Sequence, residues 1–312
     1  MQPNQLYSGN ATADRRADYA RMLDDGGDPA SAAELIEQAL ELADAWPAFW
    51  FQLAEYREKA GDRTGAIAAL RQVLVLDADD VFGVQLKLAS FGASAMPDHP
   101  SSIYLERMFD DYADRFEHAL LKKLAYSVPR KLAELLGSDL GADPIHAVDL
   151  GCGTGLFGVE IRNRVAVLEG FDLSANMLAK AEAKHIYDLL AVADLSLPAD
   201  ACGLFANGLA RHRASLVGAA DVMIYLGNLD PVFSLVRMLL NDGGRFVFSV
   251  EDSGTENGFQ LAPTLRYVHS EAYVRAGLAH YGFTVEAISK TVIRMDSGNA
   301  IRGILFVAAK TA

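Results

Sequence analysis

The feature that most constrains this fold is an alternation of apolar, strand-like segments with amphipathic helical segments from His146 onward. The strand-like segments are HAVDL, VLEGFDL, YDLLAVADL, SLVGAADVMIYLG and GRFVFSVED, and a helical segment follows each of them. The helical segment after the third is GLFANGLARHRA (residues 203–214), and a long loop precedes the one after the fifth. The acidic stretch EDSGTENG (residues 251–258) is expected to be a solvated part of that loop. Two more, FTVEAISKTVIRM and IRGILFVAAK, are separated only by DSGNA, in which Gly298 and Asn299 suit a hairpin turn. The alternation predicts a mainly parallel α/β sheet with helices on both faces, and the last two segments predict an antiparallel hairpin that closes it.

The N-terminal region repeats itself at an interval of 34 residues. When residues 16–44 are moved forward by that interval, Gly27 aligns with Gly61 and several small and apolar positions align with their counterparts. This interval is typical of helix-turn-helix repeats, and the pattern resembles the tetratricopeptide repeat. Asp28 suits the N-cap of a helix that begins at Pro29. Two generic helical hairpins are the alternative interpretation.

These patterns predict two domains joined by a short linker. Residues 1–93 are expected to be tetratricopeptide-like, and residues 94–102, which contain two prolines, are expected to be the linker. Residues 103–312 form the second domain, and its first part, 103–137, is expected to supply amphipathic cap helices broken near Pro129. Stacked repeats form concave surfaces that bind a peptide or a partner protein, or hold two subunits together as a homodimer.

Composition excludes several classes of partner and site. The formal net charge of −13 makes nucleic acid and anionic membranes unlikely ligands. The two cysteines, Cys152 and Cys202, supply neither a disulfide framework nor metal-ligand spacing, and the histidines are scattered, so no metal site is expected. The chain shows no signal-like apolar segment at its start and no apolar run of membrane-spanning length, so a cytoplasmic protein is expected.

The segment VDLGCGTG is the clearest candidate for a ligand site. Gly151, Gly153 and Gly155 follow the first strand of the predicted sheet, where ligands of such sheets bind, and a helix with free amides begins after them. Two cofactor classes remain open on this motif alone. GTGLFG matches the dinucleotide pattern G-x-G-x-x-G, and Asp172 suits a ribose in either class.

Three further features favour an adenosyl-sulfonium ligand over a dinucleotide. Asp149 precedes the glycines, where it would attract a cationic amino-acid portion that a pyrophosphate lacks. Asp194 in VADL lies at the third strand end, where it would accept a hydrogen bond from an adenine amine. The closing hairpin also departs from the strand order of dinucleotide-binding sheets.

Together these segments resemble the class I S-adenosylmethionine-dependent methyltransferases over residues 103–310. The whole chain resembles the predicted tetratricopeptide-containing methyltransferases of bacteria. The resemblance implies S-adenosylmethionine as the cofactor. It would be bound by the glycine loop, by acids at the strand ends and by apolar groups around the adenine. The residues after the fourth strand would face the sulfonium, and the cap helix would cover the ligand. The implied cofactor residues are Asp149, Gly151, Cys152, Gly153, Gly155, Asp172, Leu173, Met177, Asp194, Leu195, Ala219 and Ala220, with Tyr112 and Phe116 in the cap helix.

Methyl transfer from a sulfonium needs positioning above all, and a base only where the acceptor must lose a proton. The candidates for catalysis and for acceptor binding lie after the fourth and fifth strands: Asp221, Tyr225 and His269 as catalytic residues, and Arg266, Tyr267 and Tyr273 as substrate-binding residues. Ser270 suits the N-cap of the helix that begins there, and a capping and packing role for this cluster is the alternative. The predicted reaction is methyl transfer to a small-molecule or protein-borne acceptor. Two other functions remain open: a non-catalytic repeat scaffold that binds S-adenosylmethionine, and an NAD(P)-dependent dehydrogenase.

Overall fold

The computed structural model describes residues 7–114, 126–137, 144–256, 258–296 and 298–311. The chain forms two compact units, Met1–Asp111 and Tyr112–Ala312. No helix within these described ranges has the length and apolar character needed to cross a membrane.

All of the regular secondary structure described in the first unit is α-helical. Its helices are α1 (Ala11–Asp25), α2 (Pro29–Leu40), α3 (Pro47–Lys59), α4 (Arg63–Leu76), α5 (Val84–Ser90) and α6 (Ser102–Tyr112), which extends into the second unit by one residue. The core between α1 and α5 combines about equal numbers of alanines and larger apolar side chains such as Phe49 and Leu70. Small residues let the helices approach closely, as the sequence pattern predicts.

The same local signals begin α2 and α4. Asp28 accepts a hydrogen bond from the amide of the third residue of α2, and Asp62 does the same for α4. Gly27 and Gly61, immediately before these caps, have φ of 86° and 85°, a conformation that glycine adopts without strain. Because the two caps lie 34 residues apart (28 and 62), the hairpins share one local construction.

The second unit contains the sheet. Its strands are β1 (His146–Leu150), β2 (Val167–Asp172), β3 (Leu189–Val192), β4 (Ala214–Ala219), β5 (Leu240–Glu251), β6 (Phe259–Leu261), β7 (Tyr267–His269), β8 (Phe283–Asp296) and β9 (Asn299–Lys310). Its helices are α7 (Val128–Leu135), α8 (Leu156–Ile161), α9 (Ala175–Glu182), α10 (Asp230–Leu239) and α11 (Glu271–His280). Pro129 lies in the first turn of α7, so it begins a helix there.

The main sheet has the predicted mixed topology. Its strand order is β3-β2-β1-β4-β5-β9-β8, and the strands from β3 to β5 are parallel. β9 pairs antiparallel with both β5 and β8, so the C-terminal hairpin closes the sheet. The turn of that hairpin contains Gly298, whose φ is 82°, and Asp296 pairs with Asn299.

Apolar side chains on alternate positions fill a core on each face of the sheet. Along β5, Phe246 and Phe248 contribute to the core that α10 and α11 cover. Val247, between them, contributes to the opposite core, which α7 and α8 cover. This alternation follows from the period of two along a strand, and it confirms helices on both faces.

Two segments differ from the sequence prediction. No α-helix forms in residues 203–214, where a single short turn spans Ala206–Gly208. Gly203, Asn207 and Gly208 have positive φ there, which is incompatible with a right-handed helix. The segment after β5 was predicted to be a long loop, but it contains the two-stranded hairpin of β6 and β7.

Candidate functional site

The glycine loop lies between β1 and α8, at the carboxyl end of the parallel strands. Gly151, Gly153 and Gly155 have φ of 61°, 54° and 89°. A Cβ at Gly151 would lie 2.4 Å from Cγ2 of Val222, in the segment after β4. The loop therefore requires glycine both for its conformation and for this close approach. Its main chain is therefore bare on this side, and the cofactor contact of the three glycines stays a prediction.

Asp172 connects the end of β2 to this loop. Its Oδ2 accepts from the Gly153 amide at 2.8 Å, and its Oδ1 accepts from the Ser174 amide at 2.9 Å. The helix cap is supplied by Ser174, whose Oγ accepts from Met177. The ribose contact of Asp172 stays a prediction.

Asp149 lies beneath the loop at the end of β1 and is almost fully buried. Its Oδ2 accepts from the hydroxyl of Tyr187 at 2.7 Å, and its Oδ1 has no hydrogen-bond partner among the described residues. Burial, together with the neighbouring carboxylate of Asp172, raises the pKa of Asp149 to about 7. The hydrogen bond from Tyr187 opposes this rise. The charge of this group therefore changes near neutral pH. A cation nearby would favour the ionised form.

Cys152 packs inside the turn of the loop. Its amide donates to the carbonyl of Phe171 at 2.9 Å, which ties the loop to β2. Burial raises the pKa of the thiol well above its ordinary value, so a reactive thiolate is not favoured. Its assignment to the cofactor site stays a prediction.

The residues predicted to surround the adenine lie at the ends of β2 and β3. Met177 is buried, whereas Leu173 and Leu195 are half-buried. Asp194 is half-buried, and its Oδ1 accepts from both the amide and the hydroxyl of Ser196. These bonds orient Asp194 at the sheet edge, and the adenine contact itself stays a prediction.

The segment after β4 turns sharply at Asp221. Ala219 is buried, Ala220 is half-buried and Asp221 has a φ of 61°, which is strained for a residue with a side chain. The Asp221 amide donates to Ser249 Oγ at 2.9 Å, and this bond anchors the turn to β5. Backbone strain of this kind concentrates at functional sites.

A buried ionic network holds the Asp221 side chain. Arg294 from β8 approaches Asp221 Oδ2 at 3.4 Å and also pairs with Glu251 at the end of β5. Asp221 Oδ1 has no hydrogen-bond partner in the described part of the chain. Burial raises the pKa of Asp221, while Arg294 opposes that effect. Glu251 was expected on a solvated acidic loop, but this ion pair buries it.

Tyr225 and Arg266 lie close to the Asp221 carboxylate. Tyr225 hydrogen-bonds Arg266, and burial raises the pKa of the Tyr225 phenol. Tyr126 is half-buried, and the charges of Asp221, Arg294 and Asp149 all act on its phenol. Tyr126 therefore lies within electrostatic range of both the acid that follows β4 and the acid beneath the glycine loop.

The remaining predicted acceptor residues pack against the segment that follows Tyr225. His269 Nε2 lies 2.9 Å and 3.1 Å from the carbonyls of Leu226 and Gly227, so Nε2 is the donor. Burial lowers the pKa of His269 to about 4. The histidine is therefore neutral at neutral pH, and its full burial favours a packing role over a catalytic one.

The two tyrosines beside this histidine also contact that segment. Tyr267 is buried against Gly227, and the hydroxyl of Tyr273 accepts from the amide of Leu229 at 3.0 Å. Both side chains position the turn between β4 and α10. Their substrate-binding assignment stays a prediction.

The predicted cap residues fall at the limit of what the structure describes. Tyr112 is the last residue of α6 and is half-buried, and Phe116 lies outside the described residues. Within the described ranges, no group of three histidine, cysteine, aspartate or glutamate residues could hold a metal ion.

The structure thus adds functional candidates that sequence reasoning missed. Tyr187 and Glu251 carry no recognisable motif, and Arg294 lies in an ordinary strand pattern. The sequence signal that could have identified Arg294 is an arginine among apolar residues in the strand of the closing hairpin. Its acidic partners lie 43 and 73 residues away in the chain, so no spacing rule connects them.

Comparisons with known proteins add a family and a fold. A family model described as a methyltransferase domain matches residues 116–288, which is more than half of the chain. No curated protein matches.

Solved structures resemble the chain at low identity. That of the [4+2]-cyclase SpnF is 14% identical, with 70% of this chain and 99% of that chain covered and a TM-score of 0.54. A chain from the complex between the Haloferax volcanii Trm112 methyltransferase activator and the putative methyltransferase is 16% identical, with coverages of 66% and 97% and a TM-score of 0.51. An S-adenosylmethionine-dependent methyltransferase from Mesorhizobium loti is 21% identical, with coverages of 58% and 96% and a TM-score of 0.45.

Proposed function

Because the chain belongs to the methyltransferase-domain family, we propose that it transfers a methyl group from S-adenosylmethionine to a small-molecule or protein-borne acceptor. The family match bears out S-adenosylmethionine as the cofactor predicted from the sequence. One observation carries the proposal: Asp172, at the end of β2, is hydrogen-bonded to Gly153 of the loop that follows β1. That bond brings an acid and a bare main-chain cradle together at the edge where such sheets bind ligands.

The residues present fit this cofactor. The glycine loop would hold the methionine portion, Asp172 the ribose hydroxyls, and Leu173 and Met177 the adenine edge. Asp149 adds a buried carboxyl group with an unpartnered oxygen beside a cofactor that carries two cationic groups. When bound, the sulfonium supplies an activated methyl group, so the protein's main task is to position the acceptor.

On the acceptor side, Asp221 is the best-placed base. Its Oδ1 has no partner in the described ranges, and Arg294 holds the carboxylate group on its other side. An acceptor hydroxyl or acidic C–H group would lose its proton to this oxygen during attack. Tyr225 and Arg266 border the same position, and Arg266 suits an acidic group on the acceptor.

The dehydrogenase alternative is disfavoured by the third glycine of GTGLFG. In a dinucleotide site this glycine permits close helix–strand packing. Here the space beside Gly158 is filled by the hydroxyl of Tyr187, which would lie 2.3 Å from a Cβ at that position. The mixed sheet with its closing hairpin also differs from a dinucleotide-binding sheet.

The helical unit is proposed to be a pair of tetratricopeptide-like repeats. The matched caps of α2 and α4 and the alanine-rich core support this assignment. Such repeats would present a protein-borne acceptor or a partner to the catalytic unit, or would join two copies of the chain.

Calorimetric titration with S-adenosylmethionine and S-adenosylhomocysteine tests the proposal, with NAD and NADP as comparison ligands. We expect micromolar binding of the sulfonium pair and a loss of at least about tenfold for Asp172→Ala, or about 1.4 kcal/mol. Asp200→Ala, at an exposed position, is the matched control and should bind as the wild type does. Binding of a nicotinamide cofactor alone would establish the dehydrogenase reading. Binding of S-adenosylmethionine without turnover in an acceptor screen would establish the scaffold.

A further inference from the structure

Tyr187 occupies a notch that three glycines leave open. A Cβ at Gly158 would lie 2.3 Å from the Tyr187 hydroxyl oxygen, and a Cβ at Gly170 would lie 2.8 Å from its ring. A Cβ at Gly155, at the end of the glycine loop, would lie 3.0 Å from the opposite ring edge. The tyrosine ring is therefore packed between β2 and the start of α8, directly against the loop.

The main chain on both sides of Tyr187 is held in place. Arg162 donates to the carbonyl of Ile186 at 3.0 Å and to the carboxylate of Asp188 at 2.8 Å. Asp188 also accepts from the Leu168 amide, and its own amide donates to the Leu168 carbonyl. The neighbours of Tyr187 are thus fixed to β2. Its phenol hydroxyl donates to Asp149 Oδ2 at 2.7 Å.

Among the residues that the structure describes, no positive charge balances Asp149. The titratable groups that face it are Tyr187, Asp172, Cys152 and Tyr126, and all four are acids. A buried carboxylate among acids is costly unless a hydrogen bond or a cation stabilises it. Tyr187 supplies the main hydrogen bond, and no cationic side chain of the described residues acts on Asp149.

We propose that Tyr187 is a positioning residue whose hydrogen bond orients the buried Asp149 carboxylate and holds it ionised for the cationic methionine portion of S-adenosylmethionine. This inference rests on the proposed function. The carboxylate acts on the cofactor through a poorly screened interior, where a charge is felt over longer distances than in water. Tyr187 thus sets the fraction of protein molecules in which Asp149 is ionised and attracts the cofactor.

The test is calorimetric titration with S-adenosylmethionine from pH 6.0 to pH 8.5. Wild-type affinity should rise with pH through a midpoint near 7, because ionised Asp149 attracts the cofactor and neutral Asp149 does not. Tyr187→Phe keeps the ring in its notch and removes the hydrogen bond, so the midpoint should move up by about one pH unit. Affinity at pH 7 should then fall by about fivefold, the change in the ionised fraction, and recover at pH 8.5.

Two further variants identify the group that responds. Asp149→Asn removes the charge at nearly constant size, so only the titration of the cofactor's own amine should remain. Tyr56→Phe removes a buried tyrosine hydroxyl in the helical unit and should leave the wild-type profile unchanged.

The outcomes separate this inference from the proposed function. A Tyr187→Phe profile that matches the wild type, or a loss of affinity that is equal at every pH, would overturn the role of Tyr187 and leave the cofactor assignment intact. Absence of S-adenosylmethionine binding by the wild type at every pH would overturn both.

Discussion

The two halves of the site are built by different means. At the ends of β1 and β2, positive-φ glycines shape the loop and Asp172 bonds to main-chain amides, so most of the construction follows from two short stretches of sequence. At the ends of β4, β5 and β8, the Asp221 carboxylate depends on a buried ion pair with Arg294, which lies 73 residues away. The first half follows from a recognisable sequence motif, whereas the second depends on contacts between elements that are far apart in the chain.

The largest expected effect would come from breaking the network of the second half. Arg294→Met should lower the free energy of unfolding by about 3–5 kcal/mol, because it leaves the buried Glu251 and the half-buried Asp221 without a counter-charge. Urea denaturation measures the change. Arg245→Met is the matched control, because it removes a partly exposed pair with Glu286 and should cost at most about 1 kcal/mol.

A second experiment restores charge balance and so separates charge from packing. Adding Asp221→Asn and Glu251→Gln to Arg294→Met should recover part of the lost stability. If Arg294→Met were no more destabilising than Arg245→Met, the contrast between the two halves would fail.

Asp149→Asn tests whether a buried charge also lowers the free energy of unfolding in the first half of the site, at the ends of β1 and β2. The pKa of Asp149 is raised from 3.8 to about 7, so its contribution favours folding at low pH and is lost as pH rises between these values. At pH 8, cofactor-free Asp149→Asn should therefore be more stable than the wild type by about 2–4 kcal/mol, and the difference should vanish near pH 4. Thermal or urea unfolding across this range measures it. Equal stability at pH 8 would contradict the raised pKa.

Gly151→Ala tests the backbone design of the loop and has the smallest expected effect on stability. Both Gly151 and Gly254 have positive φ, but only Gly151 has a neighbouring side chain, Val222, in the path of a Cβ. Gly151→Ala should cost about 1–3 kcal/mol more than Gly254→Ala and weaken S-adenosylmethionine binding. Val222→Ala in the Gly151→Ala background should recover part of that extra loss. Equal costs for the two glycine substitutions would show that φ alone matters.

Much of the fold was predictable because its signals are local. Ser270 caps α11 as expected, and Asp28 and Pro29 begin α2 as expected. The helix predicted within residues 203–214 was wrong because Gly203 and Gly208, with positive φ, form turns where apolar periodicity suggested a helix. The strands β6 and β7 have only three residues each, which is too short for a clear alternation of apolar and polar side chains.

For the candidate site, sequence reasoning located the positions but could not assign the contacts. It placed Gly153 and Asp172 at neighbouring strand ends, and the structure joins them by a hydrogen bond. It treated His269 as a candidate base, whereas the structure buries the ring against two main-chain carbonyls. Burial and hydrogen-bond partners depend on which elements meet, so a histidine's charge state cannot be read from its neighbours in the chain.

The amino-acid sequence by itself determined the parallel sheet with its closing hairpin, the glycine loop and the family, because strand periodicity, turn residues and helix caps act over a few residues. Only the tertiary structure decided that Tyr187 bonds Asp149 and that Arg294 pairs with Asp221 and Glu251. These contacts join side chains from separate elements, and their strength comes from the exclusion of water, which folding alone creates.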